Sequence, residues 1–479
     1  REVVVAETTA GQVSASGEDE RPTLRRVMGP GLLLLFVVGD ILGTGIYALT
    51  GQVAARVGGA VWMPFVVAFL VAIVTAFSYL ELVTKYPQAA GAALYTHKAF
   101  GIHFLSFMIA FTVMSSGITS ASTASRAFAS NLAAAFDLDL GEGIKLTLVA
   151  LAFITLVALV NFRGVGESVK ANVVLTCVEL SGLLLIIFIG LWALGGGNGD
   201  FSSVTEFEAP DGQGLFGAVT AATALAFFAM VGFEDSVNMA EECKNPIRIF
   251  PKVMLTGLVI TGTIYVLVSI TAVALVPLDQ LGEGDTPLLQ VVEAGAPSFP
   301  LGVFAFIAMF AVANSALINM LMASRLLYGM SREGVLPRQL GLVHTSRRTP
   351  YVSILFTTLL AFGLIAFVGR VPALGGTTAL LLLGVFTVVN IAVLVLRRDP
   401  VGHKHFVTPT ILPVLGAISC AFLASPLTDR DPIQYQIASI LLLIGVALWF
   451  VTWALNRRLG TESPPQIDDP EDLGRGPES

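Results

Sequence analysis

Four acidic side chains stand in stretches that are otherwise apolar. Glu179 lies in Leu175-Thr176-Cys177-Val178-Glu179-Leu180-Ser181, Asp40 follows Val37-Val38-Gly39, and Glu234-Asp235 follows Met230-Val231-Gly232-Phe233. A charged group deep in an apolar span is costly, so each is a candidate for carrying an ion or holding a solute, with snorkelling from a helix end as the alternative. Glu179 is too deep to snorkel. Low dielectric favours the neutral form of a carboxyl group, which suits Glu179 to taking up and releasing a proton. The rival reading is an ionised Glu179 that neutralises a sodium ion or a substrate ammonium. Asp40 has a similar claim, and pairing with a cation such as Arg325 accounts for it equally well. Glu234 and Asp235 either attract a cationic side chain or cap freed helix ends.

Enzyme chemistry finds little support. His97, His103, His344, His403 and His405 fall at the ends of apolar runs or between them, none deep beside a carboxylate at metal-ligand spacing. No phosphate-loop motif is present, so ATP hydrolysis is not expected to drive the protein. The three cysteines, Cys177, Cys243 and Cys420, are far apart and form no CxxC pair. No catalytic residue, cofactor or metal is expected.

The elements that hold these acids follow from composition. Of 479 residues, 55% are hydrophobic and 13% charged, against about 25% charged in a soluble domain. Mean hydropathy is +0.80. The net charge of -7 offers no basic surface for nucleic acid. These values define an all-α polytopic membrane protein whose partner is the lipid bilayer. Apolar runs predict twelve spans, at about 31–54, 61–84, 100–131, 145–162, 169–195, 214–240, 250–277, 299–330, 351–368, 373–396, 411–426 and 434–456.

Basic residues are retained on the cytoplasmic side. With both termini inside, most of the 27 lysines and arginines fall on the inner side, and only Arg56, Arg126, Lys145, Arg370 and Arg430 do not. The expectation is a multi-pass protein of the cell membrane with both termini cytoplasmic. Polar tails at 1–28 and 459–479 should be disordered. The connections 196–213 and 279–300 are the longest on the outside, and the second is either a lid or a plain solvated connector.

Two spans should be broken. The first carries Gly39-Asp40-Ile41-Leu42-Gly43-Thr44-Gly45 and should break at 43–45; the sixth carries Gly232-Phe233-Glu234-Asp235 and should break at 232–235. Irregular backbone at that depth is tolerated only around a cavity or solute. Gly39 and Gly43 alone would also suit helix packing. Spans one and six are corresponding members of two five-span halves, however, and such a pair points to an inverted-repeat transporter with a midplane site. Half-helix N-termini there attract an anionic group and opposing carbonyls attract a cation, which suits a zwitterion.

The motif Gly43-Thr44-Gly45-Ile46-Tyr47 resembles an element of the amino acid–polyamine–organocation (APC) superfamily. The run Phe228 to Glu234, followed by Ala240-Glu241-Glu242 and Lys244-Asn245-Pro246, is similar to that superfamily's sixth-helix signature. Asn161-Phe162-Arg163-Gly164, Ser324-Arg325-Leu326-Leu327-Tyr328 and Arg332-Glu333-Gly334 also match, in the expected order. The chain is identified as a member with a cationic-amino-acid-transporter-like character.

The resemblance implies a LeuT-type 5+5 inverted-repeat core plus two extra helices, 12 TM helices in all. The first repeat would cover 29–195, the second 214–396, and the extra pair 397–458. It also implies that Gly43, Thr44 and Gly45 meet a substrate carboxylate, that carbonyls near Phe228, Ala229, Val231 and Gly232 meet its amine, and that Phe228 is the gate. Glu234 stands where cationic-branch relatives have an aspartate. Ser315, Asn314 and Asn319 are polar enough to line the site or to bond between helices. Many proton-coupled relatives carry lysine where this chain has Glu179, a departure that makes Glu179 and Asp40 the coupling-ion candidates. The expected function is a secondary active amino acid permease, with H+ ahead of Na+ as partner. A sodium-coupled or exchange carrier for amino acids or polyamines is the alternative, and a membrane sensor or channel is the alternative of another class. Oligomeric state is left open.

Overall fold

The computed structural model describes residues 28–88, 91–141, 143–163, 168–210, 212 and 214–458. Gly164 and, apart from Met28, the two tails lie outside the described residues. The first span is two helices, α1 (Pro30–Ile41) and α2 (Thr44–Val57), and is followed by α3 (Trp62–Lys85), α4 (Gly91–Phe100), α5 (His103–Ala135), α6 (Ile144–Arg163) and α7 (Ser168–Gly195). The second half begins with α8 (Leu215–Ala226) and continues with α9 (Pro246–Leu275), α10 (Leu278–Leu281), α11 (Pro287–Gly295), α12 (Leu301–Arg332), α13 (Tyr351–Phe367) and α14 (Val371–Leu396). The chain closes with α15 (Ile411–Ala424) and α16 (Pro432–Arg458).

Among the described residues, ten helical segments are long and apolar enough to cross a bilayer. They coincide with ten of the predicted spans. The ninth and eleventh differ: α13 has 17 residues and α15 has 14, below the ~20 that a perpendicular crossing needs. Both helices end with their apolar runs, α13 just before Gly369 (φ +61) and α15 just before Ser425.

Polarity is arranged inside out. Leu148, Leu156 and Leu159 of α6, Phe188, Leu191 and Trp192 of α7, and Leu443 and Phe450 of α16 are exposed, while Ser115, Thr119, Ser122 and Thr123 of α5 are buried. The hydroxyls of Thr119 and Thr123 donate to carbonyls one turn back, which satisfies them in a dry interior. Lipid covers an apolar belt, and the core holds the small polar groups.

The two halves pack as a pseudo-symmetric pair. Span by span, α3 lies on α9, α5 on α12 and α6 on α13, each a member of one half against its counterpart in the other. Off-diagonal contacts repeat as well. The α7–α12 contact is mirrored by α14–α5, α7–α9 by α14–α3, and α1–α7 by α14–α8. This pattern is what an inverted repeat produces.

The third span begins at His103, within a few residues of its predicted start, and Gly101 (φ +64) separates it from α4. One prediction needs correction: the 279–300 stretch is not a plain solvated connector. It folds into α10 and α11, and Leu288, Val291 and Val292 of α11 are buried against α2, α7 and α9. Its glycines and prolines mark the ends of these short helices rather than a solvated loop.

Candidate functional site

Gly43 and Gly232 set the geometry of the site. Helix α1 ends at Ile41, Leu42 and Gly43 are extended, and α2 restarts at Thr44 with no side chain capping its N-terminus. The break is thus one residue earlier than expected. In the sixth span α8 ends at Ala226, a 3-10 turn covers Phe227–Met230, Val231 is extended, and a second 3-10 helix runs Asp235–Glu242. This interruption is far wider than the expected 232–235. Gly232 has φ +123, and a Cβ there would lie 2.6 Å from the Asp40 carbonyl carbon. The two interruptions therefore touch. Gly45 adds a second close approach, since its Cβ would stand 2.5 Å from the Cα of Ala229.

A small polar chamber lies between them, lined by Asp40, Ile41, Gly43, Thr44, Gly45, Ser120, Phe228, Val231, Gly232, Asp235, Ser315 and Asn319. Seven of these are sequence candidates: Asp40, Gly43, Thr44, Gly45, Phe228, Val231 and Gly232. Ser315 is an eighth, and its Oγ would be 3.4 Å from a Cβ on Gly43.

Three expected residues do not line the chamber. Ala229 is turned to pack on Gly45. Glu234 is buried and faces back, its Oε2 accepting the Gly232 N–H at 2.8 Å. This favours the capping reading for Glu234. Glu179 lies on α7 behind α1, fully buried, with neither carboxylate oxygen partnered. Around it, Tyr47 Oη donates to the Glu179 backbone carbonyl at 3.0 Å, and Tyr265 Oη donates to the Ile41 carbonyl at 2.6 Å. Both tyrosines tie the α1 break to its surroundings.

Asp40 has one carboxylate oxygen without a hydrogen-bond partner, so the alternative of pairing with Arg325 does not account for that oxygen. Thr44, 1% exposed, also has an unpartnered hydroxyl. Gly39 faces away from the chamber, and a Cβ on it would collide with Thr176. Packing is thus the role of Gly39, while Gly43 belongs to the chamber. Asn314 is buried with an unpartnered Nδ2 and lies outside the chamber lining.

Ser120 is a lining residue that sequence reasoning misses. Its signal is the small polar run of α5, where Ser116 and Ser120 are one turn apart. Asp235 and Asn319 have alternative readings in the sequence, and both line the chamber. On the side away from the termini, Phe228 closes against the wall: a Cβ on Gly375 would meet Phe228 and Leu49 at 3.1 Å.

Two apposed helix interruptions enclosing a polar chamber inside an inverted repeat define a broken-helix membrane carrier. The chain belongs to the amino acid permease family of the APC superfamily, whose family model, described as "Amino acid permease", matches residues 32–453. Over 91% of its length and 94% of the relative's, it is 27% identical to the branched-chain amino acid permease BcaP of Bacillus subtilis. It is 27% identical to the methylthioribose transporter of the same organism, over 91% of this chain and 95% of that one. It is also 29% identical to the chloroplastic cationic amino acid transporter 9 of Arabidopsis thaliana, over 69% of this chain and 59% of that protein. The protein is a multi-pass membrane protein of the LeuT-fold class, and these relatives are named as transporters or permeases.

Proposed function

We propose that the protein is a secondary active amino acid permease of the cell membrane that works by alternating access and couples uptake to a proton. The observation that carries this reading is the pair of touching interruptions around a chamber that includes an unpartnered Thr44 hydroxyl and Asp40. The uncapped N-terminus of α2, at Gly43, Thr44 and Gly45, offers main-chain N–H groups and a partial positive charge to the substrate carboxylate. Freed carbonyls near Phe228, Ala229, Val231 and Gly232 receive the ammonium. Phe228 is the gate, and Ser315 contributes a hydroxyl beside Gly43. The names of the relatives, which cover branched-chain and cationic amino acids and methylthioribose, favour small polar solutes as substrates.

Glu179 is the coupling group, with Asp40 as its partner on the chamber side. An ionised carboxylate buried without a hydrogen bond or counter-ion is strongly unfavourable, so the loaded form carries a proton. Its position on α7 behind α1 lets a change of charge be felt at the first break, through Tyr47. Basic residues at the helix ends nearest the termini, among them Lys85, Arg163, Arg397 and Arg457, favour a cytoplasmic location for both termini.

The test is uptake of labelled amino acids into proteoliposomes under separately imposed proton and sodium gradients. A proton gradient alone should drive accumulation. Glu179→Gln should abolish accumulation while sparing exchange of internal for external substrate. Undiminished gradient-driven accumulation by Glu179→Gln overturns the coupling role, and accumulation that follows only sodium overturns the proton.

A further inference from the structure

Positive charge gathers at one corner of the face away from the termini, far from the chamber. Arg126 of α5 is only 6% exposed; its Nη1 donates to Thr147 Oγ1 of α6 at 3.0 Å, and its Nε has no hydrogen-bond partner. The Thr147 hydroxyl is neutral and directs its own hydrogen to the Gly143 carbonyl at 3.3 Å. Among the described residues no ion pair involves Arg126. Asp137 and Asp139 lie past the end of α5, about three turns or ~16 Å along its axis. A guanidinium stays charged in a protein, and a charge buried without a counter-charge is strongly unfavourable.

The neighbours of Arg126 carry the same sign. A Cβ on Gly369 would stand 3.8 Å from its Cζ and Nη1, which sets the guanidinium beside the start of α14. No side chain caps that N-terminus, so its free N–H groups present partial positive charge. Arg370, the residue before α14, meets Asp431 at 3.7 Å across an exposed gap. Lys145, in the first turn of α6, is exposed and has no ion pair among the described residues. Arg126, Lys145 and Arg370 thus bring together most of the few basic residues expected on this face. Repulsion among them is relieved by an anion, and the open Nε edge of Arg126 suits two-pronged bonding to phosphate oxygens.

The surroundings select the source of that phosphate. Arg126 lies about 35 Å along α5 from His103, just beyond the ~30 Å hydrocarbon thickness and therefore level with lipid phosphates. Ile144 and Leu148 of α6 and Phe367 of α13 are exposed around the corner, where acyl chains cover them. A zwitterionic headgroup would bring a further cation to a corner already rich in them.

We propose that Arg126, with the α14 N-terminus, Lys145 and Arg370 around it, binds the phosphate of an anionic phospholipid in the leaflet away from the termini. The bound headgroup joins α5, α6 and the α13–α14 junction. The site is independent of what the chamber carries.

The experiment places the full chain in vesicles containing a trace of photoreactive phosphatidylglycerol or phosphatidylcholine, each labelled near its headgroup, and maps the adducts by peptide. In wild type, phosphatidylglycerol should label 144–148 and 366–373 at least about tenfold more than phosphatidylcholine does, the selectivity of several basic residues acting together. Arg126→Gln should lower that labelling by about fivefold or more, while labelling at the basic helix ends near the termini stays within about twofold. Equal labelling of the corner by the two lipids in wild type overturns the inference, and that comparison needs no variant. Unchanged labelling in folded Arg126→Gln overturns the assignment to Arg126. Displacement of the lipid label by excess inorganic phosphate overturns the lipid as occupant, in favour of a free anion.

Discussion

Gly232 is the residue at which the two broken spans depend most directly on one another. Its φ of +123 lies where side chains are strained, and any Cβ would press on the Asp40 peptide. Gly232→Ala should therefore destabilise by about 2 kcal/mol or more from backbone strain and crowding together. Expected outcomes are a lowered unfolding midpoint of the solubilised protein and loss of transport even in the fraction that folds. A midpoint equal to wild type would show that the contact between the breaks is dispensable. This residue was legible in the sequence, because a glycine closely followed by two acids in an apolar run marks a place where a membrane helix does not continue. The division of labour between Glu234 and Asp235 was not legible. Neighbouring side chains on unwound backbone follow no helical or alternating period, so neither the bond that turns Glu234 back to the Gly232 N–H nor the lining position of Asp235 can be read from spacing.

Charged side chains also bind the helices together at both membrane faces. Near the termini, Glu81 of α3 is 2% exposed and takes a two-pronged bond from Arg397, just past α14, with Nε and Nη2 at 2.9 and 2.8 Å; the Thr408 N–H joins at 2.8 Å. On the opposite face, Arg430 donates to the carbonyls of Leu423, Gly376 and Ala224 and to Gln434 Oε1, seating the α15–α16 connection on α8 and α14. Burial pushes its guanidinium down to about 10, which leaves it protonated at neutral pH. Because Arg397 is partly exposed, breaking the Glu81 pair should cost less than a fully buried pair does, about 2 kcal/mol. In a double-mutant cycle, Glu81→Gln and Arg397→Met should each lower the unfolding midpoint, and the double variant should lose clearly less than the two combined. Additive losses would show that the pair does not couple the helices. Spans were readable from hydropathy because lipid imposes a long apolar run. The helices α10 and α11 were not, since their burial comes from docking against α2, α7 and α9 and leaves no long apolar pattern. Arg430 reads from the chain as an outer-side residue, and nothing in its neighbourhood hints at its three carbonyl partners.

The alternating access proposed above requires a closure on each side of the chamber. On the side away from the termini, α14 approaches α2 tightly enough that a Cβ on Gly375 would touch Leu49 and Phe228. Gly375→Leu should wedge this contact open at a cost of about 1–3 kcal/mol to the closed form, shifting the population by about tenfold or more. The measurement is labelling of Thr44→Cys by an impermeant thiol reagent from the far face, with the three native cysteines replaced. Labelling should be faster when Gly375→Leu is added, and an unchanged rate would mean that closure lies elsewhere. A final consequence concerns how such a protein diversifies. The parts assigned to grip the substrate's common portion are peptide groups at 43–45 and 228–232, and no replacement of a side chain deletes a peptide group. Descendants can therefore trade Ser120, Ser315, Asn319 or Asp235 for other residues and acquire new diets, while the ancestral handhold passes on untouched.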